Sequence, residues 1–83
     1  MDYYLYVARC LDGSLYIGVT NNLGKRLERH NQGEGSAWVK QHGQAIVVHT
    51  ERYENYLLAR RREAQIKKWS RIKKERLISG LKP

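Results

Sequence analysis

The sequence predicts an α+β fold ordered β-β-α-β-α-α, a small three-stranded antiparallel-type sheet flanked by helices. Three observations carry that expectation. Two runs rich in aromatic and branched residues, Tyr3 to Cys10 and Ser14 to Thr20, are separated only by Leu11-Asp12-Gly13, and Asp-Gly between such runs signals a tight hairpin. A third apolar run, Ala45-Ile46-Val47-Val48, stands apart from them. Behind it, two stretches begin at residues suited to cap helices, Asn55 and Ser70.

The hairpin comes first. A two-residue and a three-residue loop make opposite predictions about which side chains share a face, because side chains alternate along a strand. The three-residue loop puts Gly13 at the left-handed position and sets Cys10 opposite Ser14, Ala8 opposite Tyr16, and Tyr6 opposite Gly18. One face then carries Leu5, Val7, Leu15, Ile17 and Val19, with Arg9 at its end. The other carries Tyr4, Tyr6 and Tyr16 beside the small Ala8, Ser14 and Gly18. The two-residue loop scrambles these sets, so the three-residue loop is expected.

Asn21 or Asn22 caps a helix running to about Asn31 and stopped by Gly33. Leu23 and Leu27 form its inward stripe, and at about 100° per residue Arg26 and His30 fall on the same stripe. A charge there either snorkels past the core or lines a pocket. Gln32 to Gly35 reads as a loop, and Ala37 to His42 as a helical turn ended by Gly43. Gln44 to Tyr53 reads as a third strand, central in the sheet and apolar on both sides.

Asn55 caps a long helix reaching about Trp69, and Ser70 caps a shorter one through Ile78, closed by Gly80. On the long helix Tyr56, Leu58, Ala59, Ile66 and Trp69 gather on one side, and Glu63 falls among them. A carboxylate at a core position is costly unless compensated. Glu63 is therefore half of an ion pair, with Arg62 the ready candidate, or a metal ligand or general base.

Composition narrows the function. The chain has 83 residues with no repeat or linker, so residues 1–83 are expected to form one domain. Cys10 is the only cysteine, which excludes an intrachain disulfide or thiolate cage, and Cys10, His42 and His49 lack zinc spacing. The apolar stretch Tyr3 to Ala8 has neither the length nor the basic leader of a signal peptide, and nothing approaches the roughly 20 apolar residues of a membrane helix. A cytoplasmic location is expected. Sixteen Lys and Arg against eight Asp and Glu give a net charge of +8, a field that suits polyanions. The excess concentrates in Arg60, Arg61, Arg62, Lys67, Lys68, Arg71, Lys73, Lys74 and Arg76, opposed there only by Glu63 and Glu75. Such a run is either a solvated helical face or a nucleic-acid contact, and its size favours the second. Trp69 reads as core, whereas Trp38 suits packing or base stacking equally.

Tyr4-Leu5-Tyr6, nine residues, then Tyr16-Ile17-Gly18 resembles the paired strand motif of the GIY-YIG endonucleases. Asn21 through His30 resembles the helix that follows it, and Ala59 through Arg71 resembles the segment with the family's metal-binding glutamate. The resemblance covers nearly the whole chain and is closest to the small bacterial stand-alone members, the UPF0213-like proteins. It implies roles by position. Tyr6 and Tyr16 are the paired tyrosines, with Tyr6 the favoured proton acceptor from the attacking water. Arg26 holds the scissile phosphate, His30 positions or deprotonates the nucleophile, Glu63 binds Mg²⁺ or Mn²⁺, and Gly18 permits close approach. Tyr4 and Leu5 stand where the name-giving glycine and isoleucine would be, a departure common in stand-alone members. Lys40 and His42 lie where some members carry a further histidine, and neither receives a role.

These roles agree with general chemistry. Phosphodiester hydrolysis needs an activated water, a cation over the developing charge and help for the leaving oxygen. Arg26 can fork onto two phosphate oxygens, and one glutamate completed by water suits Mg²⁺. A phenol with a pKa of about 10 is a poor base at neutral pH, so Arg26 and the metal have to favour its phenolate. The expectation is a metal-dependent endonuclease acting as a monomer on nucleic acid, DNA rather than RNA, with structure-selective or weakly sequence-selective cutting. Arg60, Arg61, Lys67, Lys68, Arg71, Lys73 and Lys74 are expected to hold the substrate. The five side chains Tyr6, Tyr16, Arg26, His30 and Glu63 are expected to meet in one cleft on the tyrosine face. A non-catalytic nucleic-acid-binding module and a partner-dependent adaptor are the alternatives on the same fold.

Overall fold

The computed structural model describes residues 1–29 and 43–83. His30, the loop from Gln32, the turn from Ala37 with Trp38 and Lys40, and His42 lie outside the described residues. The elements are β1 (Tyr3–Cys10), β2 (Leu15–Thr20), α1 (Leu23–Arg29), β3 (Ala45–Tyr53), α2 (Tyr56–Lys67) and α3 (Arg71–Ile78). The order β-β-α-β-α-α is as expected, and both strand pairings are antiparallel.

The hairpin has the three-residue geometry. Gly13 sits at φ 87°, where a Cβ is strained, and its N–H donates to the Cys10 carbonyl at 2.9 Å. Cys10 N–H in turn donates to Ser14 O at 2.9 Å. The resulting register pairs Ala8 with Tyr16 and Tyr6 with Gly18. The aliphatic and tyrosine faces therefore separate as the sequence indicates.

The sheet order is β2-β1-β3, which corrects the expectation that the third strand is central. β1 occupies the centre because Leu5, Tyr6, Val7 and Ala8 are buried in succession, so both of its faces are covered. On β3 only Ala45 is buried, and Ile46 is 69% exposed. A register shift against β1 between Val7 and Ala8 leaves Val48 as the extra residue between the paired Val47 and His49; Val48 packs on the aliphatic core and Val47 on the tyrosine side.

Each face has its own core. Leu5, Val7 and Ile17 pack with Ile66 of α2, joined by Trp69 and by Leu77 and Ile78 of α3. Across the sheet, Tyr6, Ala8, Cys10 and Ala45 pack with Tyr16, Val47 and Leu23 of α1. Local capping starts the helices: Asn22 accepts from Lys25 N–H at 3.1 Å, Asn55 from Leu58 N–H at 2.9 Å, and Ser70 from Lys73 N–H at 3.3 Å. Burial on α2 follows Ala59, Glu63 and Ile66, but Tyr56 and Leu58 are 52% and 43% exposed, against expectation. Tyr56 meets the Tyr3 ring edge-on at 5.4 Å and is no part of either core.

Charged pairs fasten the helices. Arg9 grips both oxygens of Glu75 with its two terminal nitrogens, holding α3 to the end of β1. Arg71 donates to Glu75 at 3.0 Å and to the Gly13 carbonyl at 2.6 Å, which joins α3 to the hairpin turn. On β3, Glu51 accepts from Arg62 Nε at 2.9 Å and from Tyr53 Oη at 2.7 Å, with His49 Nε2 at 2.9 Å. Arg62 thus serves Glu51, not Glu63.

Burial opposes ionisation of Glu51, but Arg62, His49 and Tyr53 outweigh it and hold its pKa down at about 2, from 4.5. A depressed carboxylate pKa stabilises the fold fully above the unfolded value, and that contribution is lost as pH falls through the folded value. Glu51→Gln is expected to lower stability at pH 7 by about 2–3 kcal/mol. The deficit should shrink between pH 4.5 and about 2. Chemical denaturation of both proteins across that range checks this.

Candidate active site

The hairpin register brings the two motif tyrosines together. Tyr6 lies opposite Gly18 and Tyr16 opposite Ala8, so the phenols are diagonal neighbours on one face. Their ring centroids are 6.0 Å apart at an interplanar angle of 33°. The Tyr6 ring lies across Gly18 so closely that a Cβ on Gly18 would stand 2.7 Å from Tyr6 Oη. Tyr6 itself is 4% exposed and has little room to move aside. Gly18→Ala is therefore expected to displace the Tyr6 ring, costing about 1–3 kcal/mol of stability. A reactive group misplaced by about 1 Å loses roughly 100-fold in rate. Melting and cleavage measured together check both effects.

Arg26, an exposed residue of α1, turns its guanidinium to both phenols. Burial raises the Tyr6 pKa above the ordinary phenol value, Arg26 offsets part of the rise by hydrogen bonding, and Tyr16 adds to it. The hydrogen bond to Tyr6 raises the pKa of Arg26 in turn, so Arg26 is cationic throughout the working range. Tyr6 at rest is accordingly a neutral phenol. Its use as a proton acceptor requires further positive charge in the cleft.

Glu63 is reached from the other side of the sheet. It is 5% exposed on α2, whose buried stripe packs against the aliphatic face. Its Oε1 lies 2.6 Å from Arg60 Nη1 and its Oε2 3.3 Å from Lys67 Nζ. Both partner side chains are more than half exposed, at 52% and 56%. At the β2 edge a cleft of about 230 Å³ is lined by Leu15, Tyr16, Ile17, Lys67 and Lys74. Lys67 thus stands both on the Glu63 carboxylate and on the cleft wall beside Tyr16.

Tyr6, Tyr16 and Arg26 form one cluster, with Gly18 beneath Tyr6; Glu63 approaches through Lys67, and His30 lies outside the described residues. Among the described residues no three His, Cys, Asp or Glu side chains group as a metal cage. The buried Glu63 carboxylate fits an ion that keeps most of its water, Mg²⁺ or Mn²⁺, once Arg60 and Lys67 swing aside.

The basic run divides by task. Arg60 and Lys67 serve Glu63, Arg60 also lies 5.8 Å from the Tyr56 ring centre, and Arg71 serves Glu75 and the hairpin turn. Arg62 and Lys73 flank the Trp69 ring at 5.0 and 4.5 Å. Arg61 and Lys68 are exposed and form no ion pair among the described residues. The sequence assigns Lys67 and Lys74 to substrate binding along the basic run, with nothing to set them beside Tyr16. Their convergence on Tyr16 depends on how α2 and α3 dock, although the i,i+4 spacing of Glu63 and Lys67 was visible.

The GIY-YIG catalytic domain family matches residues 2–76. A UPF0213 protein of Natronomonas pharaonis is 42% identical over 78 residues, covering 94% of this chain and 92% of its own. One from Clostridium perfringens is 45% identical over 77 residues, covering 93% and 83%. The solution NMR structure of a UPF0213 protein from Bacillus halodurans superposes with a TM-score of 0.62 at 35% identity, covering 95% of this chain and 84% of that one.

Proposed function

The chain belongs to the GIY-YIG family, a nuclease fold, and from that premise we propose that it is a divalent-metal-dependent endonuclease that hydrolyses phosphodiester bonds in DNA. The observation that carries the reading is the buried Tyr6 phenol, pinned over Gly18 and faced by Tyr16 and the Arg26 guanidinium.

In this reading Arg26 forks onto the scissile phosphate and meets the negative charge that develops as water attacks. Tyr6 acts in its phenolate form, which the Arg26 charge favours, after giving its own phenolic proton to solvent; the phenolate then orients that water and takes its proton. Tyr16 holds a neighbouring oxygen. His30 assists the nucleophile, and Glu63 holds Mg²⁺ or Mn²⁺. A bound ion supplies positive charge over the phosphate and lowers the pKa of water. Residues 1–83 act as one domain and a monomer. Its proposed substrate contacts go to phosphates, which position without reading sequence, so cutting is structure-selective or weakly sequence-selective.

Within the Arg60–Arg76 run, Arg61, Lys68 and Lys74 supply the standing contacts to the substrate backbone. Neutralising about three phosphates gives a salt slope of about −2.7, hence roughly 40-fold weaker duplex binding from about 50 to 200 mM salt. Anisotropy titrations measure it, and a flat response assigns these residues to solvated surface.

The function itself is tested by incubating the protein with single-stranded, duplex, branched and RNA substrates, in Mg²⁺, in Mn²⁺ and with chelator. Cleavage that chelator abolishes supports the reading. Metal-indifferent binding without cleavage replaces it with a nucleic-acid-binding module.

A further inference from the structure

We infer that Arg60 and Lys67 form a cationic latch on Glu63, which keeps its carboxylate from a divalent ion until a substrate phosphate in the β2-edge cleft draws Lys67 away. The inference rests on the proposed metal-binding role of Glu63. Three observations carry it. Glu63 is 5% exposed, and both of its oxygens are occupied by cations. Those cations sit on long side chains that are 52% and 56% exposed, so they can leave into solvent while the carboxylate stays. Lys67 also lines the cleft beside Tyr16, together with Lys74, where a polyanion bound against the tyrosine pair meets its ammonium.

The consequence is a linkage between two ligands. A divalent ion approaching Glu63 meets two positive charges, and its affinity is lowered by that repulsion. A phosphate in the cleft competes for Lys67 and removes part of the repulsion. By thermodynamic reciprocity, nucleic acid raises metal affinity and metal raises nucleic-acid affinity. The arrangement restricts metal loading to the substrate-bound protein, and Lys67 is a positioning residue in it, not a catalytic one.

The test is Mn²⁺ binding without nucleic acid, read from the electron paramagnetic resonance of the free ion. Wild type, Lys67→Met, Arg60→Met and Glu63→Gln are compared, each first confirmed to be folded by thermal melting. Lys67→Met is expected to bind Mn²⁺ about tenfold more tightly than wild type, with Arg60→Met changing in the same direction at the other oxygen. Glu63→Gln should show no such site. In cleavage assays, wild type should reach half-maximal rate at an Mn²⁺ concentration well below its dissociation constant without nucleic acid. That gap should narrow in Lys67→Met. Equal Mn²⁺ affinity in wild type and both Met variants, with Glu63-dependent binding intact, overturns the latch and leaves the proposed function standing. Absence of Glu63-dependent binding in every protein overturns the metal role and the latch together.

Discussion

Arg26→Ala is expected to leave a folded protein that binds duplex DNA within about threefold of wild type and cuts it at least 100- to 1000-fold more slowly. Arg26 is exposed, so its truncation removes little packing. Binding is carried largely by Arg61, Lys68 and Lys74. The loss falls on the chemical step, because a preorganised charge aimed at the developing oxyanion is worth about two to three orders of magnitude in rate. The substitution also removes the group that lowers the Tyr6 pKa. The rise of rate with pH should therefore move to higher pH in the variant, a change that a merely structural arginine does not produce. Single-turnover cleavage across pH, beside anisotropy binding, separates the two effects. A near wild-type rate makes Arg26 a snorkelling side chain and removes the mechanism.

The parts of this molecule that were legible in the sequence are those fixed by local chemistry. Asp12-Gly13 and the separation of aliphatic from tyrosine side chains specify one hairpin register, and that register sets Tyr6 beside Tyr16 and over Gly18. Asn55 and Ser70 cap because their side chains reach an N–H three residues on. The strand order was not legible. Ala45 to Val48 and Tyr3 to Ala8 are both apolar runs, and which becomes central depends on which has both faces covered.

Ion-pair partners were equally hidden where they are distant. Arg62 adjoins Glu63 in sequence, yet Glu51 on β3 takes its guanidinium. Arg9 closes the aliphatic face only because Glu75, 66 residues away, meets it. The convergence of Lys67 and Lys74 on Tyr16 is likewise a product of helix docking. Glu63 was conspicuous as a charge among core positions, but that its partner Lys67 lines a cleft with Tyr16 required the structure.

The central claim is that Glu63 serves a metal and not the fold, and Glu63→Gln tests it most directly. The cations that glutamine leaves unpaired, Arg60 and Lys67, are each more than half exposed. They return to water, so the substitution strands no buried cation. The glutamine amide keeps an oxygen for Arg60 and avoids the cost of burying a full charge. Thermal melting without metal, paired with cleavage in Mg²⁺ and Mn²⁺, is the measurement. The predicted result is a melting temperature at or slightly above that of wild type with metal-dependent cleavage lost, and the contradicting result is a destabilised protein that still cuts.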